Sequence, residues 1–370
     1  MTIKPQMIRG PFQGVVSDLV APQGPLTDFD DVLNFFVRKG RAQSRPRLNV
    51  YLAEATGNPK IRTMGSFKDQ NGVLHTYFLV NYLPGQTPAY MLSPGPVLNP
   101  LLIPGLTTGQ NGSSLPFAVG SIQNQVYFAN GGYPLAYLDG SNTVQFAGNT
   151  PGTCRFLAVN VSHLIQAYCT EPASGIALAT DYPRRVRWSA TNNPQQWDPL
   201  ADFTAGFNDI LDVPDDITGL CTSGRNTWVW RTNGLTVMFP TGVALAAFGF
   251  ENYSVSEDGI GNVFPYALST FGNQTVCISN YDVHSFDGTA FTGIGGPNRK
   301  KIFNDLADAA GDFVWGRILP NFTLGYDFLC YMLTIPGPNV TWIYTFDDGQ
   351  WVRFSSSSGY LTAARTVYTS

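Results

Sequence analysis

The chain has 370 residues and a formal charge of −4, with 13% aromatic and only 13% charged residues, 38 Gly and 26 Pro. The acidic balance argues against a protein that grips nucleic acid, which needs clustered Lys and Arg to displace counterions from phosphates. A charged fraction near half the usual ~25%, joined to so much Gly, Pro and aromatic residue, excludes helices with charged outer faces and describes short strands linked by tight turns, an all-β composition.

Residues 1–50 differ from the rest. They hold no clear hairpin, include the stretch from Phe29 to Phe36, and carry the basic cluster Arg38, Lys39, Arg41, Arg45 and Arg47, so they read as an extended N-terminal arm with one short helical or strand-like piece. From residue 51 onward apolar β runs bounded by Gly, Pro, Asn or Asp take over, and turn signals cut them into about six segments, roughly 60–105, 116–148, 153–200, 215–261, 262–300 and 313–359. In the first, Asn71-Gly72 separates Ile61–Met64 from Thr76–Val80; in the fourth, Asn233-Gly234 separates Thr227–Arg231 from Leu235–Phe239. Asn-Gly between two β-type runs is a strong local hairpin signal. One stretch, Lys301–Ala310, reads as helix, with Ile302, Phe303, Leu306 and Ala310 on one face.

A phrase recurs along this array: an apolar run and a small polar turn, or an aromatic run, closing on Asp-Gly. It appears from Val126 to Asp139-Gly140, from Val276 to Asp287-Gly288, and from Trp342 to Asp348-Gly349. Units of one antiparallel meander, too small to bury their own apolar face, must stack on neighbours, and a period of about 40 to 50 residues is that of propeller blades. The expected architecture is therefore an all-β propeller of about six blades over 51–370, preceded by the arm 1–50.

The chemistry expected is sparse. Cys154, Cys169, Cys221, Cys277 and Cys330 lie in apolar or strand-like runs without a Cys-x-x-Cys pair and read as free buried thiols. His75, His163 and His284 fall in separate segments without metal-ligand spacing, and no Gly-x-Ser-x-Gly elbow occurs. Asp212, Asp215, Asp216, Glu257 and Asp258 are the carboxylates a propeller glycosidase would gather around its channel; their setting beside Pro214 and strand starts favours turns. The Asp-Gly sites lack the oxygen-rich run of a calcium loop. No cofactor, metal or catalysed reaction is expected. The N-terminus lacks a signal-peptide profile and no apolar run reaches the ~18 residues of a membrane span, so synthesis in a cytoplasm without membrane insertion is the expectation.

The stretch Arg185-Val186-Arg187-Trp188-Ser189-Ala190-Thr191-Asn192-Asn193-Pro194-Gln195-Gln196-Trp197 resembles a signature of short-tailed bacteriophage nozzle and tail-hub propellers, Arg-x-Ser-x-x-x-Asn-Pro-x-x-Trp, which there ends one blade. The following Ile217–Leu220 and Val229–Phe239, including Trp230, are similar to the next blade of that family, and Gly40 with the flanking basic residues and Arg45-Pro46 is similar to the end of its arm. The resemblance implies a structural virion protein that sits in the tail as a homo-oligomeric ring, with six-fold symmetry taken from the family alone. It implies portal or adaptor proteins and tail fibres or spikes as neighbours, and DNA passing through the lumen without specific binding. By its charge alone the arm's cluster, Arg38, Lys39, Arg41, Arg45 and Arg47, can meet an acidic neighbouring subunit, water only, or DNA phosphate, with the subunit contact favoured; Trp188, Asn193, Pro194, Trp197 and Trp230 are candidate structural or interface residues. The competing reading is a carbohydrate-binding propeller, with a propeller glycoside hydrolase behind it.

Overall fold

The computed structural model describes residues 35–38, 41–44, 61–80, 89–92, 98–100, 115–171 (except 133, 142 and 149–151), 180–253 (except 213, 244 and 245), 259–309, 314–319 and 329–355. Nearly all of them are strand or turn. Strands β1 (Phe35–Arg38) and β2 (Arg41–Ser44) form an antiparallel hairpin with Arg38 opposite Arg41. This corrects the expectation of an arm without a hairpin: two four-residue β runs stand only two residues apart, the shortest spacing that lets a chain pair with itself. Lys39, Arg45 and Arg47 lie outside the described residues.

Six four-stranded antiparallel sheets follow, each with its strands in sequence order. The first comprises β3 (Ile61–Lys68), β4 (Leu74–Val80), β5 (Ala89–Leu92) and β6 (Leu98–Pro100). The second comprises β7 (Ala118–Ile122), β8 (Gln125–Ala129), β9 (Ala136–Leu138) and β10 (Gln145–Phe146). The third is β11 (Thr153–Asn160), β12 (His163–Glu171), β13 (Thr180–Trp188) and β14 (Gly206–Asp209). The fourth is β15 (Ile217–Ser223), β16 (Asn226–Arg231), β17 (Leu235–Val243) and β18 (Ala246–Asn252). The fifth is β19 (Ser269–Phe271), β20 (Gln274–Ile278), β21 (Val283–Phe286) and β22 (Phe291–Gly293), and the sixth β23 (Trp315–Leu319), β24 (Cys330–Ile335), β25 (Val340–Thr345) and β26 (Gln350–Ser355).

The Asp-Gly phrase has a common structural meaning. In the second, fifth and sixth sheets it makes the turn between the third and fourth strands, and Gly140, Gly288 and Gly349 all adopt positive φ, at 95°, 96° and 64°. Glycine enters that region without the Cβ penalty other residues meet. Asp139 and Asp287 brace their turns by accepting the backbone N–H of Ser141 and Thr289.

The first four sheets belong to one compact unit; the fifth and sixth, with the β1–β2 hairpin, belong to another. Within the first unit, neighbouring sheets stack through alternating side chains. Phe67, Tyr77 and Leu79 of the first sheet meet Val126, Phe128 and Leu138 of the second. Ile122, Tyr127 and Leu135 of the second meet Cys154, Leu157 and Leu164 of the third, whose other face places Phe156, Ile165 and Val186 against Val229, Met238 and Phe248 of the fourth. The third sheet is thus buried on both sides, and its period-2 alternation feeds two cores at once. Hydrogen bonds join neighbours too: Asn160 Nδ2 donates to Arg225 O at 3.0 Å and Thr227 Oγ1 at 2.9 Å.

In the second unit, Tyr331 Oη donates to Ala267 O at 2.7 Å and Trp351 Nε1 to Ile294 O at 2.6 Å, tying the sixth sheet to the fifth. Helix α1 (Arg299–Ala307) begins two residues earlier than the apolar pattern predicts, because a 3₁₀ turn at Gly296–Asn298, with Pro297 inside it, leads directly into it. Its buried face holds Ile302, Leu306 and also Asp305, whose carboxylate accepts Trp342 Nε1 at 2.8 Å and Arg353 Nε and Nη2 at 3.1 and 3.2 Å.

Candidate functional site

The signature stretch occupies the outer part of the third sheet. It does not end the blade, as expected for a segment closing at 200: after it the chain returns as β14, so the sheet runs from Thr153 to Asp209 and the Asn-Pro stretch is the connection between its third and fourth strands. A four-residue strand lacking a strong apolar run of its own, Gly206-Phe207-Asn208-Asp209, left little signal for this in the sequence.

Each motif position holds the corner together. Ser189 Oγ accepts Leu164 N–H at 3.0 Å, and Ser189 O accepts His163 Nδ1 at 2.7 Å. Asn193 N–H donates to Ala190 O at 3.1 Å while its side-chain oxygen accepts Gln195 N–H at 3.3 Å. Buried Pro194 offers its carbonyl to Trp197 Nε1 at 3.0 Å, and Trp197, 1% exposed, enters the core shared with the second sheet. Trp188 Nε1 donates to Thr204 O at 3.1 Å, and its ring meets Phe248 edge-on at 5.5 Å between centroids. Gly206 lies under this ring; a Cβ there would sit 2.6 Å from Trp188. Trp230, fully buried, directs Nε1 at Cys221 Sγ at 3.1 Å. Neighbouring Arg231 donates Nη2 to Asn252 Oδ1 at 3.3 Å, and Asn252 in turn donates to Asp212.

Beside this corner, Arg185 makes a bidentate pair with Asp209, both bonds 2.7 Å, and a 2.6 Å bond to Glu171, which also accepts Arg187 Nη1 at 2.5 Å. The Asp209 hydrogen bonds raise the Arg185 pKa against the opposing effect of burial. The guanidinium also stacks over Tyr182 at 3.7 Å and Phe207 at 4.4 Å. This network locks β12, β13 and β14 in register.

Beyond the lock lies a surface that sequence reading missed. Leu200, Phe203, Phe207 and Leu211 are 95, 58, 47 and 72% exposed. A signal was available: between Asp198 and Asp216 the chain has six Asp and no Lys or Arg, with large apolar residues interleaved.

The other candidates are spread out. All seven Trp are buried, none more than 9% exposed, so none offers a free indole face for sugar stacking. Asp215 accepts Asn233 N–H at 3.3 Å and Nδ2 at 3.1 Å, bracing the Asn-Gly hairpin, whereas Glu257 and Asp258 lie outside the described residues. His284 Nε2 stands 3.1 Å from Ser279 Oγ, but Ser279, 1% exposed, also donates to Asp282 O and accepts Asp282 N–H, each at 3.1 Å, which is a turn motif. No disulfide joins the five Cys, all of them buried, and burial pushes the thiols of Cys169 and Cys330 up to about 12. Among the described residues no group of His, Cys, Asp and Glu could hold a metal, and no helix is long and apolar enough to cross a membrane.

Burial lowers the pKa of His163 and of His284 from the ordinary 6.5. The folded state therefore binds fewer protons than the unfolded state as pH falls through that value, and stability drops as acid is added. We expect the urea midpoint to fall between pH 7.5 and 5.5, and the His163→Gln, His284→Gln double variant to show a flatter dependence over that interval.

Successive four-stranded antiparallel meanders, stacked face to face, make this an all-β protein with a β-propeller fold. Solved structures similar to it include virginiamycin B lyase from Staphylococcus aureus, at 7% identity over 82% of this chain and 86% of that one, with a TM-score of 0.49. BamB from Moraxella catarrhalis gives 12% identity, coverage of 83% and 80%, and a TM-score of 0.40; U3-55K gives 8%, 84% and 86%, and 0.46. Likenesses this distant carry no argument about activity. No protein-family model matches the chain, and no curated protein matches it in sequence.

Proposed function

We propose that this protein is a structural component of a short-tailed bacteriophage tail, a nozzle or hub ring in the virion through which DNA leaves. The observation that carries this reading is the use made of Arg185–Trp197. The residues that resemble the tail signature are spent on a rigid corner, through Ser189, Asn193, Pro194, Trp188 and Trp197, and that corner holds an exposed apolar edge. A propeller whose distinctive motif builds a surface for contact suits assembly better than turnover. An acidic chain lining a conduit repels the DNA backbone, which lets the genome pass without adhesion.

The test is recruitment. Purified full-length protein should co-sediment with the portal–adaptor assembly of its phage and add density at the distal end of that assembly in electron micrographs. Failure to bind it, together with saturable binding to host surface glycans, would overturn the reading in favour of a carbohydrate-binding propeller.

A further inference from the structure

We propose that the edge of the third sheet around β14 is the docking surface for the basic arm of a second copy of this chain; this rests on the ring reading above. Three observations converge. The first is exposure: Leu200, Phe203, Phe207 and Leu211 present large apolar side chains to solvent within twelve residues, where scattered single ones are the norm. The second is an available strand edge. Among the described residues β14 pairs only with β13, and Gly206–Asp209 carries neither the Lys nor the Pro with which exposed edges are ordinarily blunted.

The third is charge. Residues 198–216 hold six Asp and no base, whereas residues 32–53 hold Arg38, Lys39, Arg41, Arg45 and Arg47 and no acid. Asp209 is neutralised by Arg185, but Asp212 and Asp216 are exposed. Complementary fields of this kind choose a partner and fix its register, and an arm already folded as the β1–β2 hairpin brings its own strand edge to the contact.

The two surfaces differ, since β1 lies beside β26 of the sixth sheet and the acidic strip belongs to the third. A contact between unlike patches is heterologous, and such contacts generate rings when the rotation closes. One surface of each copy receives and the other is received.

A complementation experiment tests this with full-length chains. One variant carries Arg41→Glu and Arg45→Glu; the other carries Asp212→Lys and Asp216→Lys. Each alone should weaken self-association about tenfold or more, as loss of interfacial charge pairs does. Mixed, the two should reassociate, because the reversed arm meets the reversed strip and the native arm the native strip. Phe203→Ser, at an exposed position, should weaken association with an unchanged melting temperature. Wild-type-like assembly of both charge variants, or a mixture that stays dissociated, overturns the proposal while a ring formed by wild type keeps the tail reading intact. A wild-type chain that stays monomeric at every concentration yet joins the portal assembly also overturns the arm contact alone; a monomer that ignores that assembly overturns both.

Discussion

Replacing Trp197 with Ala is expected to cost about 3–5 kcal/mol of unfolding free energy, the range for deleting a large buried aromatic. The indole is 1% exposed, its N–H is satisfied by Pro194 O, and its ring packs among Tyr127, Cys154, Leu157 and Leu164. The substitution removes the ring and its contacts from the core between the second and third sheets and frees the Asn193-Pro194 corner. Trp197→Phe keeps most of the apolar volume and loses only the hydrogen bond, so its cost should be clearly smaller. Leu200→Ser, three residues on but 95% exposed, should stay within about 0.5 kcal/mol of wild type. Urea denaturation followed by fluorescence and circular dichroism separates the three; a Trp197→Ala chain as stable as wild type would show that the corner does not hold these sheets together.

The second large effect belongs to Asp305. Its carboxylate is the shared acceptor of Trp342 Nε1 and the Arg353 guanidinium, and all three side chains are largely buried. Asp305→Ala leaves an indole N–H without this acceptor and a guanidinium without this counter-charge, and α1 loses its polar anchor to the sixth sheet. Breaking one side of a buried pair costs about 3–5 kcal/mol; since the Arg353 side chain keeps 19% exposure, about 3 kcal/mol is expected. Asp305→Asn preserves an acceptor oxygen while removing the charge and should fall between. Equal losses for Ala and Asn would assign the effect to charge alone; no loss for Ala would contradict the anchoring role.

Much of the fold was legible because propeller strands announce themselves locally. Alternating apolar runs broken by Gly and Asn marked β16 and β17 around Asn233-Gly234, and the Asp-Gly phrase marked the same third-to-fourth turn in three sheets, where Asp and positive-φ Gly are the chemistry such a turn demands. The misses have physical reasons too. Strand β14 is short and stabilised by Arg185–Asp209 pairing and by packing under Trp188 rather than by its own apolar content, so nothing in its composition ends the preceding loop. The burial of Asp305 has no local signal, because its partners Trp342 and Arg353 come from 37 and 48 positions away.

The candidate site was legible in part. Trp188, Asn193, Pro194 and Trp197 do converge on one corner, while Trp230 belongs to the core of the next sheet and pairs with Cys221. Arg38 and Arg41 are register partners in the β1–β2 hairpin. What composition concealed was the exposure of Phe203 and Phe207: aromatic residues in a β-rich chain read as core, and only the fold reveals that one lies in the connection leading into the last strand and the other on that strand with its side chain exposed.

The most direct measurement of the central claim is the mass and shape of the purified full-length chain by mass photometry and electron cryomicroscopy across a concentration series, alone and with the portal–adaptor complex that the proposed role requires. The account predicts closed rings of identical subunits, or subunits that close into a ring on that complex. Particles that remain single propellers under both conditions would contradict it.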